Sequence, residues 1–243
     1  TDTLAPTHAR VLDIEEHMLH FLENHDEQRI ASDDFAGDAR KGKPAMVVSA
    51  LISRAPTMLY FAQDVGEPGA GDAGFGDPTR TTIFDYWGVP SHQRWMNDGA
   101  FDGGGLSSDE KALRDFYVRL MSFSAASRAL NGDYAELHSP NRQRQHAAYN
   151  DRVFSFARWH GDERLIVVCN FDDEAGHAPD APAVAGPQDE GERSSISDAL
   201  DAARTAARAG ARQIQGMSLE ARDEMPAHEF EIEEAEHEGV SVV

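Results

Sequence analysis

The run Glu23-Asn24-His25-Asp26-Glu27-Gln28-Arg29 packs carboxylates, an imidazole, amides and a guanidinium into seven consecutive positions, directly after the apolar pair Phe21-Leu22. A carboxylate beside an imidazole supplies hydrogen-bond acceptors and a donor at close quarters, which suits the hydroxyls of a neutral polyol. A charged surface loop uses the same residue types, so composition leaves both readings open. Other candidates for chemistry are weaker. The spacing His17-x-x-His20 fits no strong metal motif. Gly69, Gly71, Gly74 and Gly76 lack the preceding strand and following helix of a phosphate-binding loop. The single cysteine, Cys169, follows Leu165-Ile166-Val167-Val168 and reads as a buried inert thiol, and alone it forms no intramolecular disulfide.

The elements that must position the cluster follow from hydropathy. Residues 17–22 are predicted to be a short apolar strand, with residues 23–29 at its carboxyl end. After a Gly/Lys/Pro break at 42–44, Pro44 suits the first helical position, where its missing N–H costs nothing. Residues 45–54 are therefore predicted to be a short apolar helix closed by Pro56. Residues 57–61 form a second apolar strand, again with polar residues at its tip: Gln63, Asp64, Gly66 and Glu67. Strand, polar tip, helix, strand, polar tip is the rhythm of a parallel sheet whose strand ends carry function.

Residues 66–106 are rich in glycine and also hold Phe84, Tyr86, Trp87, Trp95 and Phe101, which favours a folded, ligand-facing loop over a linker. Ser107 and Glu110 then form a capping box ahead of Leu113, Phe116, Tyr117, Leu120, Met121 and Ser124, which recur at helical spacing. From about Asn131 the pattern becomes strand-like. Residues 152–159 and 164–171 flank His160-Gly161-Asp162-Glu163, a hairpin with a Gly-Asp turn. Later strands are expected at 196–200, 213–220 and 228–233, with a loop at 172–193. An α/β part is thus followed by an all-β part, with no internal repeat.

Composition bounds the rest. The 243 residues carry 43 acidic and 22 basic side chains, for a net charge of −21. Such acidity repels nucleic acid and anionic membrane surfaces. No apolar run approaches the ~18–20 residues that span a bilayer. Only Lys41, Lys43 and Lys111 are lysines, a bias that fits adaptation to high salt and a GC-rich genome equally well. The chain starts at Thr1 with neither an initiator methionine nor a signal-like segment. It is expected to be a piece of something longer, and no localisation follows from it.

The segment Phe21-Leu22-Glu23-Asn24-His25-Asp26 resembles the strand-seven motif of the α-amylase family of glycoside hydrolases, an aromatic-led strand ending in Asn-His-Asp at the top of a (β/α)8 barrel. The stretch Met58-Leu59-Tyr60-Phe61-Ala62-Gln63-Asp64-Val65-Gly66-Glu67 is similar to the family's strand eight, apolar-Tyr-x-Gly-Gln-Glu-x-Gly, with Ala62 standing for Gly and Asp64 for Glu. Residues 153–158 and 165–171 resemble the opening strands of the family's C-terminal β-sandwich. Ser197-Asp198-Ala199-Leu200 and residues 228–232 fit its later strands. The ordered set covers most of residues 17–233.

The resemblance implies that residues 1–131 are the C-terminal part of a (β/α)8 TIM barrel and residues 132–243 an antiparallel β-sandwich, an α/β plus all-β architecture. It implies a retaining glycoside hydrolase acting on α-1,4-glucans such as starch and maltooligosaccharides. Asp26 matches the carboxylate that holds sugar hydroxyls beside the scissile bond and favours the oxocarbenium-like transition state. His25 matches the histidine that donates to a hydroxyl of the same glucose. Asn24 and Arg29 are implied as supporting or subsite residues, with an ion pair to Glu23 or Glu27 the rival role for Arg29. Tyr86, Trp87 and Trp95 are candidate sugar-stacking platforms, or else pins of a long loop to the barrel rim. Arg80 follows Asp77-Pro78 where many family members carry an arginine.

Retaining hydrolysis takes two carboxyl groups about 5–5.5 Å apart, a nucleophile and a general acid. No segment of this chain resembles either motif. The expectation is therefore a chain that lacks both and is inactive alone, with the N-terminal barrel half of the same protein as its missing partner. No metal site or cofactor is expected in this segment; the resemblance places any calcium upstream. The alternatives are a glucosidase, transglycosylase or isomerase of the same family, and a non-catalytic glucan-binding or interaction module.

Overall fold

The computed structural model of the chain describes residues 1–69, 89–143 and 149–171, the backbone of Ile214–Gly216 and Val240–Val242, and Glu233, Glu236 and His237. In chain order the helices are α1 (Leu4–Ala9), α2 (Lys43–Leu51), α3 (Pro90–Met96), α4 (Ser108–Ala126) and α5 (His138–Gln143). The strands are β1 (Asp133–Glu136), β2 (Val153–His160), β3 (Glu163–Asn170), β4 (Ile214–Gly216) and β5 (Val240–Val242). Two units result: Ile14–Ala126, and Thr1–Asp13 together with Ser127–Val243.

In the unit Ile14–Ala126, α2 begins with Pro44 in its first turn and buries Met46, Val47, Val48, Ala50 and Leu51. α4 turns Leu113, Phe116, Tyr117 and Leu120 inward, and its Ser124 hydroxyl donates to the Ala50 carbonyl at 3.1 Å. The capping box forms: the Glu110 amide donates to Ser107 Oγ at 3.2 Å and the Ser107 amide to Glu110 Oε2 at 2.7 Å. Two orphan donors at the helix start are thereby satisfied.

The segments on either side of α2 run parallel, joined by a bridge between His20 and Thr57. The His20 amide donates to the Pro56 carbonyl at 2.9 Å, and the Met58 amide to the His20 carbonyl at 2.8 Å. This pairing is shorter than the strand expected at 17–22. Glu15–His17 form a 3-10 turn, with the Met18 amide bonded back to Glu15, so the backbone becomes extended only from Met18. Ile14, Met18, Leu19 and Phe21 are each 38–50% exposed along this segment.

The second unit is built on the β2–β3 hairpin, in antiparallel register from Val153↔Asn170 to His160↔Glu163. Gly161 takes a φ of +59° at the two-residue turn, a conformation that glycine adopts without steric cost. β1 pairs antiparallel with β2, Asp133 facing Trp159 and Glu136 facing Phe156. Gly132 lies so close to the Trp159 backbone that a Cβ would collide with it. β4 and β5 then add in parallel, in the order β1-β2-β3-β4-β5. The sheet is therefore mixed where an antiparallel one was expected. Strands expected at 196–200 and 228–233 lie outside the described residues.

Residues 1–13 belong with this unit rather than with the α/β part in which the sequence placed them. The ring of His8 meets Tyr134 edge-on at 4.7 Å, and the Asp2 carboxylate reaches His138 and Arg142. Among the described residues no helix is long and apolar enough to cross a membrane.

Candidate functional site

The 23–29 loop leaves the bridged segment at Glu23 and returns at Arg29. The Glu23 side chain points inward, with Oε2 accepting from Arg29 Nη1 at 2.8 Å and Oε1 accepting from the Ile30 amide at 2.7 Å. Arg29 is fully buried. Its Nη1 also donates to the Phe61 carbonyl at 3.0 Å, and its guanidinium lies 4.4 Å from the centre of the Tyr60 ring. The ion pair with Glu23 is thus the arrangement Arg29 adopts, enclosed and turned away from solvent. Burial pushes the Glu23 carboxyl above its usual range, against the opposing pull of Arg29.

Inside that closure Asn24 folds the tip. Its Oδ1 accepts from the amides of Asp26 and Glu27, at 2.9 and 2.8 Å, the bonding of an Asx turn. Asn24 therefore shapes the loop. His25 and Asp26 are presented outward, 43% and 71% exposed, with Nε2 of the imidazole 3.4 Å from Oδ2 of the carboxylate. The structure brings together the donor and acceptor that the sequence singled out.

The second polar tip is built differently from the first. Ala62 has φ +62°, in the left-handed region. From there a 3-10 turn, Gln63–Val65, carries the chain inward. The Gln63 amide group donates to Tyr117 Oη at 3.2 Å, while its Oε1 accepts from the Tyr60 amide at 3.1 Å. Burial raises the Tyr117 hydroxyl to about 12. Asp64 forms an ion pair with Arg114 of α4. Glu67, also buried, accepts from the amides of Gly69 at 2.9 Å and Ser91 at 3.1 Å, tying the tip to the start of α3. The tie from Glu67 to Ser91 and the pairing of Arg114 with Asp64 carry no local sequence signal, because the partners lie 24 and 50 residues apart along the chain.

Trp95 is half-buried against the cluster Ala62, Val65, Val89 and Leu106. His92 stacks on it at 5.6 Å, Phe101 meets it edge-on at 5.8 Å, and the Arg114 guanidinium lies 5.1 Å from its ring centre. Those contacts make it a pin for residues 89–106. Tyr86, Trp87 and Arg80 lie outside the described residues. Among the described residues no group of three or more His, Cys, Asp or Glu side chains is placed to hold a metal ion.

No protein-family model matches this chain, and no curated protein matches it either.

Proposed function

We propose that this chain contributes the third carboxylate and the partnering histidine of an α-amylase-type retaining glycoside hydrolase acting on α-1,4-glucans. The observation that carries the proposal is the parallel bridge between His20 and Thr57 with α2 between them. It puts both polar tips at the carboxyl ends of neighbouring parallel segments, the end where barrel enzymes gather their active-site residues. Ala62 adds support, since its left-handed backbone is the conformation that explains a glycine in the family motif.

In this role Asp26 accepts hydrogen bonds from two adjacent hydroxyls of one glucose unit, and His25 donates to one of them. A glucan is uncharged, so the −21 net charge places no electrostatic barrier in its way. The nucleophile and general acid are assigned to no residue of this chain, which on its own is expected to bind maltooligosaccharide without cleaving it.

The test is a titration of the 243-residue chain with maltoheptaose, followed by calorimetry or amide shifts. Asp26→Asn and His25→Ala are each expected to weaken binding about tenfold or more, the effect of deleting one partner of a charge-assisted or directed hydrogen bond. Binding that ignores both substitutions points instead to a glucan-binding module using another surface. Starch hydrolysis by this chain alone overturns the division of labour proposed here.

A further inference from the structure

We infer that Glu23 and Arg29 are positioning residues: their buried ion pair closes the base of the 24–28 loop and thereby holds His25 and Asp26 in the geometry that meets the ligand. The inference rests on the proposed glucan-binding role of His25 and Asp26.

Three features set this pair apart from a structural ion pair placed at random. First, it brackets the loop, because Glu23 immediately precedes Asn24-His25-Asp26 and bonds to both Arg29 and the Ile30 amide on the returning segment. Second, the closure is anchored outside the loop. The same Arg29 nitrogen that meets Glu23 also donates to the Phe61 carbonyl, at the foot of the second polar tip, and the guanidinium lies on Tyr60. The two polar tips are thereby fixed to one another through a single side chain. Third, the pair sits beneath the exposed residues rather than among them. Both its side chains are 3% exposed or less, against 43% and 71% for His25 and Asp26.

A buried charge pair is a poor source of stability, because desolvation offsets most of the Coulombic gain and an apolar pair of similar volume serves as well. Its geometry is the useful part. The planar guanidinium can bridge a carboxylate and a carbonyl in directions that a hydrophobic contact does not define. Asn24 then completes the nested closure, so that the loop backbone is set before any ligand arrives. Pre-setting in this way reduces the ordering cost of binding.

The experiment separates holding the fold together from holding the loop in place. In the 243-residue chain, Glu23→Gln leaves Arg29 buried without its carboxylate, whereas the double variant Glu23→Met/Arg29→Met replaces the pair by apolar side chains. Three quantities are measured on each: melting temperature, backbone order of residues 25–28 by nitrogen-15 relaxation, and affinity for maltoheptaose. Glu23→Gln should lower all three. The double variant should regain its melting temperature while the order parameters of residues 25–28 fall from about 0.85 to below about 0.6 and affinity drops about tenfold or more. Should neither variant fold, Arg29→Lys decides, since a lysine keeps the charge for Glu23 but loses the planar guanidinium that lies on Tyr60. A folded variant lacking the clamp, with loop order unchanged and affinity within twofold of the parent, overturns the inference. If the parent chain itself does not bind maltoheptaose, the glucan reading fails, and loop order alone then decides whether Glu23 and Arg29 position the loop.

Discussion

The Asp2 carboxylate and the His138 imidazole lie 2.7 Å apart although 136 residues of chain separate them. His138 is buried, and its Nε2–H donates to Asp2 Oδ1. Nδ1 lies 3.2 Å from the Tyr149 hydroxyl, and Ser155 Oγ lies 2.7 Å from the same hydroxyl. Hydrogen bonds from Arg142 and His138 hold the Asp2 carboxyl below its usual range. A depressed carboxyl contributes stability above its unfolded-state value, about pH 4, and loses that contribution as the pH falls through its folded value. Asp2→Asn is therefore expected to lower the unfolding midpoint at neutral pH, with the gap to the parent narrowing below about pH 4. His138→Ala also empties a buried ring site and should cost roughly 2–4 kcal/mol. Denaturant melts of the three proteins between pH 2.5 and 7 check both expectations, and a pH-independent gap for Asp2→Asn contradicts the first.

Ala62 is buried and held at φ +62°. An L-residue in that region brings its Cβ against the following carbonyl, a cost of about 1–2 kcal/mol that glycine avoids. Glycine also loses more freedom on folding, which offsets part of the gain. Ala62→Gly should therefore raise stability by about 0.5–1 kcal/mol and leave the neighbouring Gln63–Tyr117 contact intact. Ala62→Val, β-branched in the same conformation, should lower stability by more than that. Urea melts of the pair give the comparison directly, and a destabilised Ala62→Gly would show that the strain is relieved elsewhere.

How much of this was legible depends on the range of the interactions concerned. α4 announces itself, because Ser107, Glu110 and the apolar residues that follow satisfy one another within a turn or two. The β2–β3 hairpin does so too, through two apolar runs and a Gly161 turn. The 17–22 strand was legible as apolar sequence, but its length was not. The 3-10 turn at Glu15–His17 takes up its first residue, and a partner segment near Thr57 determines where pairing begins. At the candidate site, residue types pointed to His25 and Asp26, and their adjacency in sequence guaranteed their adjacency in space. Arg29 was legible only as two rival roles. Its destination depends on the Phe61 carbonyl and the Tyr60 ring, about thirty residues away, which no local pattern encodes. The grouping of residues 1–13 with the second unit was illegible for the same reason, resting on Asp2 meeting His138 and His8 meeting Tyr134.

The capping box at α4 carries a second load. Glu110 accepts from the Ser107 amide through Oε2, while Oε1 faces the guanidinium of Arg94 in α3. Ser107→Ala removes one cap bond and should cost about 1 kcal/mol. Glu110→Ala removes the reciprocal bond together with the α3–α4 ion pair and should cost at least as much. Because the two residues share the cap, the double variant should cost less than the sum by about 0.5 kcal/mol or more. A double-mutant cycle from urea melts measures that coupling, and strict additivity would mean that the box contributes nothing as a unit.

Cys169 lies on β3 at a position that is 1% exposed, in register with Phe154 of β2. Burial in apolar surroundings pushes its thiol up to about 12, so the nucleophilic thiolate is scarce at neutral pH. Its reaction with an aromatic disulfide reagent then requires the hairpin to open first. In the native chain, labelling at pH 8 should be slower by orders of magnitude than for a free thiol, and should accelerate to completion at one thiol per chain in denaturant. β3 is the central strand of the described sheet, with β2 on one side and β4 on the other, so opening there should be among the rarer local fluctuations of the unit. The labelling rate in sub-denaturing urea should accordingly follow the unfolding of the whole hairpin, with a urea dependence matching that of the second unit's melt. Fast labelling in the absence of denaturant would show that β3 is not held as the register implies.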